Sequence, residues 1–167
     1  MCGIVAVLGG PVGRRTPTSA EVLVPLDAAC GFAPSVAVGH VLAAVDAAEQ
    51  TNVLLYGRPG VQAMAANPEL TAAITARLDQ LDAWVLQIEE FLERDVDGDH
   101  VEETNAALIQ LRDVLWSLRR DRLRTGAAVV ALAGRDASAS ALNALTLVQM
   151  ALSSLDRLEV RDRKSVV

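Results

Sequence analysis

A cysteine in second place is the residue with the clearest capacity for chemistry in this chain, which opens MCGIVAVLGG. Removal of Met1, which a small second residue favours, leaves Cys2 with both a thiol and a free α-amine. An α-amine has a pKa near 8 and can take the thiol proton directly or through a water molecule. A thiolate attacks amide carbonyls far better than a thiol does. Cys2 is therefore a candidate nucleophile, and the simpler alternative is an inert thiol near the chain start.

A calcium site is the next candidate, because three acidic residues alternate as they do in an EF-hand loop: Asp95, Asp97 and Asp99. That loop then needs Gly at position 100 and Glu at position 106. The chain has His100 and Ala106 there. A solvated turn between helices is the favoured interpretation.

Other metal and cofactor sites are not predicted. Neither His40 nor His100 has a Cys or a second His at ligand spacing, so we expect no zinc site. The glycines at positions 9, 10 and 13 lack the spacing of a dinucleotide-binding loop, so we expect no cofactor.

Three further kinds of residue have ordinary structural interpretations. A basic run (Arg119, Arg120, Arg122 and Arg124) favours a solvated helix face over a phosphate site. The two tryptophans, Trp84 and Trp116, lie beside apolar stripes and are predicted to pack in the core or between helices. Cys30, near the end of an apolar helix, is predicted to be a small core residue.

Composition indicates one helical domain. The chain has 167 residues, 51% of them apolar and only 3% aromatic. A net charge of −6 argues against nucleic-acid binding, and two cysteines are too few for a disulfide framework. The start carries no secretory signal, and no apolar stretch is long enough to span a bilayer. We therefore expect a cytoplasmic protein with no membrane contact.

The pattern along the chain predicts one strand followed by helices. Residues 3–8 are apolar and β-branched before a Gly-Gly-Pro break, which predicts a short buried strand. Residues 11–18 are a turn-rich linker. Helices are then expected over 19–30, capped by Ser19, and over 35–50. Residues 52–56 suit either helix or strand, and 57–60 read as a turn.

The middle of the chain predicts a helical hairpin. Pro68 begins a helix whose apolar residues recur at spacings of three and four from Leu70 to Leu92. A second stripe runs from Val101 to Leu118, after a polar break at 94–100. Residues 126–134 suit helix or strand, and a final helix is expected over about 138–158.

The two ends of the chain together resemble a known family. MCGIV before an apolar strand resembles the start of class II glutamine amidotransferases, the N-terminal-nucleophile glutaminases. Residues 151–161, ALSSLDRLEVR, resemble the helix and L-E-Y-R-G of the glucosamine-6-phosphate synthase branch. Leu158, Glu159 and Arg161 match that pattern, and Val160 stands where Tyr is usual.

The resemblance implies a fold and a division of the chain. We expect a mainly α chain that is the incomplete start of an αββα glutaminase domain. Residues 1–10 would be its first strand with the nucleophile, 11–138 a helical bundle-like insertion, and 139–161 its first helix resumed. Glu159 and Arg161 would lie in the turn after that helix, with Arg161 near the substrate and no bond-making role.

The resemblance also implies a function. Cys2 would release ammonia from glutamine for amination of a sugar phosphate, fructose 6-phosphate to glucosamine 6-phosphate, in a homo-oligomer without cofactors. A different acceptor would be set by a downstream domain.

The last six residues depart from the family pattern. DRKSVV stands where the family continues with Gly and Asp-Ser-Ala-Gly, and a common sequencing adapter also encodes this string. We therefore expect 162–167 to be a truncated or non-native end. The family's segments that hold the glutamine carboxylate and the oxyanion do not occur in these 167 residues, so the fragment itself is expected to be inactive.

A competing interpretation comes from another class of protein. The amphipathic helices could form an interaction module with no catalytic role, and MCGIV would then be a coincidence.

Overall fold

All regular secondary structure in the described part of the chain is helical. The computed structural model describes residues 13–33, 35–94, 101–134 and 136–164, with side chains as far as residue 156. In chain order the elements are α1 (Ser19–Cys30), α2 (Val38–Leu54), α3 (Gly57–Ala66), α4 (Pro68–Arg94), α5 (Val101–Ser117), a π-helical segment (Leu118–Leu123), α6 (Arg124–Ala133) and α7 (Ala139–Lys164).

The first helix begins with a capping box one residue before the predicted cap. Thr18 is the N-cap: its hydroxyl accepts from the backbone N–H of Glu21, and the Glu21 carboxylate accepts from the Thr18 N–H at 2.9 Å. This exchange satisfies two donors that a helix start otherwise leaves open. Arg15 also pairs with Glu21. The hydrogen bonds from Arg15 and then from Thr18 lower the pKa of Glu21 to about 2.

The long helix α4 supplies the centre of the core. Its predicted stripe is buried from Leu70 to Ile88, and Trp84 is buried with it. The indole Nε1 of Trp84 donates to the carbonyl of Ser35 at 3.1 Å, so its polar atom has a partner inside the apolar surroundings. Among the described residues, no buried side-chain nitrogen or oxygen lacks a hydrogen bond.

Helix α5 lies between α2 and α4. It contacts α4, as a hairpin partner should, but it packs most extensively against α2. Its buried face consists of Thr104, Ala107, Leu108, Leu111 and Leu115. At the surface, Arg112 donates to Glu89 of α4 at 2.6 Å, so the α4–α5 contact is partly ionic.

The expectation of an αββα glutaminase domain is wrong. The described ranges form helices and turns, with no strand, and only the mainly α part of that prediction agrees with the structure. Helix α7 was expected to be the first helix of a layered sheet domain. It packs instead on α3 and α6, and Leu142 joins the same core as the other helices. The predicted strand at 3–8 lies outside the described residues.

Several local predictions change as well. The ambiguous stretches at 52–56 and 126–134 are largely helical, in α2 and α6. The predicted turn at 57–60 is the first turn of α3. Helix α7 continues through Glu159 and Arg161, where a turn was expected. Trp116 is 57% exposed and does not pack in the core.

The division between core and surface can be tested within α5. Leu111 is fully buried, whereas Ile109 on the same helix is 62% exposed. Leu111→Ala should lower the free energy of unfolding by about 2–5 kcal/mol, because it removes buried methyl groups and leaves a cavity. Ile109→Ala, the matched control, should change it by less than about 0.5 kcal/mol. Urea denaturation followed by circular dichroism measures both, and equal effects would contradict this packing.

Candidate functional site

The sequence-predicted site residues are only partly within the described structure. Cys2, the predicted nucleophile, lies outside the described residues, as do Asp95, Asp97, Asp99 and His100. The backbone of Arg161 is helical, and its side chain lies outside the described part. The structure therefore does not bring Cys2 and Arg161 together, and it does not separate them.

Two distant parts of the chain meet at a single glutamine side chain. The hydroxyl of Thr16 donates to Oε1 of Gln62 at 2.6 Å, and Nε2 of Gln62 donates to Oδ1 of Asn143 at 2.9 Å. Thr16 precedes α1, and Asn143 lies in the first turns of α7. The entry to the helical body and the start of its last helix thus lie on the same side of α3.

Arg14 extends this contact to the end of α2. Its guanidinium donates to the carbonyls of Val53 and Tyr56. Carbonyls at a helix C-terminus have no partner within the helix, and a cation there also interacts favourably with the helix dipole. The chain leading to α1 is therefore attached at the corner between α2 and α3.

A π-helical segment joins α5 and α6 and rotates the side chains that follow it. Such a segment widens the helix locally and is common at functional sites. Within this segment Arg119 and Arg122 contact different helices. Arg119 donates to Asp79 at 2.8 Å and to Asp82 at 2.6 Å, both on α4. The other side of the segment faces α2, where Arg122 lies.

Arg122 ties the π segment to α2. Its Nε donates to Oδ1 of Asn52 at 2.8 Å, and its guanidinium carbon lies 4.8 Å from the centroid of the Tyr56 ring. A cation over an aromatic face contributes about 0.5–1 kcal/mol at an exposed site. Ser117 also donates to Asn52 at 3.4 Å. These contacts fix the wall of a cleft.

That cleft, of about 330 Å³, separates the π segment from α7. Apolar and aromatic residues form its floor near the α2–α3 corner. Most of its rim is polar: Asp121, Arg122, Thr125, Thr146, Ser153 and Ser154. Two of the hydroxyls are already used within α7, since Thr146 donates to Leu142 and Ser154 donates to Met150. The arrangement offers charged groups and hydroxyls to a polar molecule.

A second cleft, of about 240 Å³, adjoins the first. The two share Asp121, Thr125 and Ser153. The second is otherwise lined by Trp116, Arg120, Arg124, Gln149 and Asp156. Three of the four arginines of the basic run thus line these two clefts, whereas the sequence favoured a solvated face.

Cys30, the thiol that the structure does describe, is a poor nucleophile. Burial raises the pKa of its thiol, so it is protonated at neutral pH. Its Sγ lies 3.7 Å from the carbonyl oxygen of Arg77. The residue packs against the core, as the sequence predicted.

Metal ligands are not grouped in the described part of the chain. No set of three or more His, Cys, Asp or Glu side chains there could hold a metal ion. His40 instead lies 2.7 Å from the Ser35 hydroxyl and stacks on Phe32 with ring centroids 5.1 Å apart. None of the helices in the described ranges combines the length and apolar character needed to cross a bilayer.

Comparison with known proteins gives no relative: no family model, curated protein or solved structure matches this chain.

Sequence reasoning missed both clefts. Except for Met150, their α7 residues are polar and interrupt an apolar helix: Thr146, Gln149, Ser153, Ser154 and Asp156. That interruption was the available signal. It could not identify the facing residues, because the rotation introduced by the π segment is not visible as a periodicity.

The corner that carries Tyr56 depends on two glycines. Gly57 has φ +69°, a backbone conformation that favours glycine. A Cβ on Gly60 would lie 2.0 Å from the carbonyl oxygen of Leu55, so the backbones approach more closely than a side chain permits.

Replacement of Gly60 tests this close approach. Gly60→Ala should lower the free energy of unfolding by about 1–3 kcal/mol or more, because backbone atoms must move. Gly39→Ala is the matched control: its Cβ would meet no atom within 4 Å, and it should raise the free energy of unfolding by up to about 1 kcal/mol. Thermal and urea unfolding measure the change in the free energy of unfolding for both variants, which should have opposite signs. An unchanged free energy of unfolding in Gly60→Ala would contradict the close approach of Gly60 to the Leu55 backbone.

Proposed function

We propose that this chain is the N-terminal part of a glutamine-dependent amidotransferase in which Cys2 is the nucleophile. The observation that carries the proposal is the pairing of MCGIV at the start with LDRLEVR near the end, in the order found in the glucosamine-6-phosphate synthases. Each block alone is short. Their occurrence in one chain, in that order, is what favours this function.

The chemistry follows from the two groups on one residue. After removal of Met1, the α-amine of Cys2 accepts the thiol proton, directly or through water. The thiolate adds to the side-chain amide carbon of glutamine, and the protonated amine returns the proton to the departing nitrogen. Ammonia leaves, a glutamyl thioester remains, and water then releases glutamate and regenerates the thiol. The oxyanion donors and the carboxylate-binding group would come from residues beyond this chain.

The acceptor and the setting of the reaction rest on the resemblance. We propose a sugar phosphate acceptor, fructose 6-phosphate, aminated to glucosamine 6-phosphate in the cytoplasm. Arg161 would lie near the bound glutamine and would neither make nor break a covalent bond.

The role of Cys2 is tested on the product of the intact gene. Cys2→Ala should reduce ammonia release from glutamine by ~10³-fold or more, because the nucleophile is lost. Cys30→Ala should leave the rate within about twofold, because that thiol is half-buried and protonated. Ammonia production by a coupled assay measures both, and the intact mass should lack Met1. Retained Met1, or activity in Cys2→Ala, would overturn the proposal.

A second candidate function is a helical interaction module, and one observation favours it. Helix α7 carries apolar residues at spacings of three, four and three: Leu145, Val148, Leu152 and Leu155. The last three are 51%, 48% and 49% exposed. This is the spacing of a coiled-coil seam, which is complementary to a second copy of itself. The occupant that fits it best is therefore the α7 helix of another copy of this chain.

The proposed dimer through the α7 seam is tested by measuring the mass of the protein in solution, which gives its oligomeric state. Leu152→Lys should convert a dimer to a monomer in sedimentation experiments, because it places a charge in the seam centre. Ile109→Lys, at a more exposed apolar residue on α5, should not. A wild-type chain that is monomeric at high concentration would exclude the dimer.

A further inference from the structure

We propose that the second cleft binds a phosphomonoester carried on a ring, with Arg120 and Arg124 holding the phosphate and Trp116 stacking on the ring. The inference does not depend on the chemistry of Cys2. It starts from how this protein uses its arginines.

Arg120 and Arg124 differ from the other described arginines in having no bonding partner for the guanidinium. Five of the others form ion pairs with carboxylates: Arg15, Arg77, Arg94, Arg112 and Arg119. The remaining three, Arg14, Arg58 and Arg122, have other interactions. Among arginines whose side chains the structure describes, only Arg120 and Arg124 make no ion pair and no side-chain hydrogen bond.

Arg120 and Arg124 are both exposed, and no carboxylate pairs with either of them. Acidic residues outnumber basic ones by 21 to 15, so carboxylates are in excess. The two guanidiniums nevertheless lie together at one cleft, four residues apart on one stretch of helix. Two cations near one another repel, and a shared anion removes that repulsion.

The shape of the cleft selects the kind of anion. A guanidinium presents a planar fork of N–H donors that matches the oxygens of a phosphate. A phosphomonoester has a second pKa near 6 and is largely a dianion at neutral pH, which balances two guanidiniums. Gln149 and Ser153, on the facing wall from α7, add an amide and a hydroxyl donor.

Trp116 indicates that the phosphate is attached to a ring. It precedes Arg120 by four residues, lines the same cleft and is 57% exposed. An exposed indole face stacks on a sugar or a base. The cleft volume of about 240 Å³ is below the roughly 300 Å³ typical of the smallest drug-sized pockets, which favours one ring over a dinucleotide.

Two carboxylates also line the cleft and must be included. Asp121 has an interaction of its own, whereas Asp156 is exposed and makes no ion pair. Asp156 pairs with neither guanidinium, but its negative charge at the same cleft disfavours an anion there. Asp156→Asn should for this reason strengthen phosphate binding.

The test is calorimetric titration of the full chain with three probes: inorganic phosphate, glucose 6-phosphate and AMP. At least one ring phosphate should bind, and Arg120→Gln/Arg124→Gln should weaken it at least tenfold. Arg94→Gln/Arg112→Gln, which removes the same charge from ion pairs elsewhere, should change the dissociation constant less than twofold. If both double variants lost the same affinity for the ring phosphate, the effect would come from net charge alone and the proposed site would be overturned.

The ring contact has its own test. Trp116→Ala should weaken the ring phosphate at least fivefold and leave inorganic phosphate unchanged. Binding of inorganic phosphate as tight as that of both ring phosphates would overturn the ring assignment, and no binding of any probe at millimolar concentration would overturn the proposal. Cys2→Ala should leave the dissociation constants of all three probes unchanged. The phosphate site can therefore be confirmed or overturned independently of the amidotransferase proposal.

Discussion

The hydrogen bond from Arg122 to Asn52 is the contact on which the wall of the first cleft depends. It connects the π segment to α2 at the point where the chain turns into α3. Because the guanidinium also lies over Tyr56, one side chain fixes a helix, a segment and a corner. The first cleft exists because α7 packs on α3 and α6 without filling the space above this contact.

The π segment has consequences on both of its sides. Within the segment, Arg119 reaches two aspartates of α4, and Arg122 reaches α2. Arg120 and Arg124 face α7 across a cleft. A local change of helix geometry thus divides one basic run into three environments.

Helix α7 links the two ends of the body. Through Gln62 its first turns contact the segment that leads to α1, so the entry of the chain and the start of its last helix lie on the same side of α3. Its outer face keeps an apolar seam exposed. A helix with one side in a core and the other side apolar and exposed is suited to lie between this body and something else, whether a further domain or a second copy.

Much of the helical structure is predictable from the sequence by itself. The stripe in α4, the cap region of α1 and the start of α7 follow from spacings and from caps, which are local properties. The sequence also determined the pairing of MCGIV with LDRLEVR, on which the functional proposal rests. The prediction of an αββα domain failed because a family resemblance over short segments does not determine what a helix packs against. Only the tertiary structure decided that Trp84 is buried and Trp116 exposed, and that Arg119 is paired and Arg120 is not. Residues next to a stripe have similar local patterns, and their burial and charge partners depend on the rotation of each helix against its neighbours.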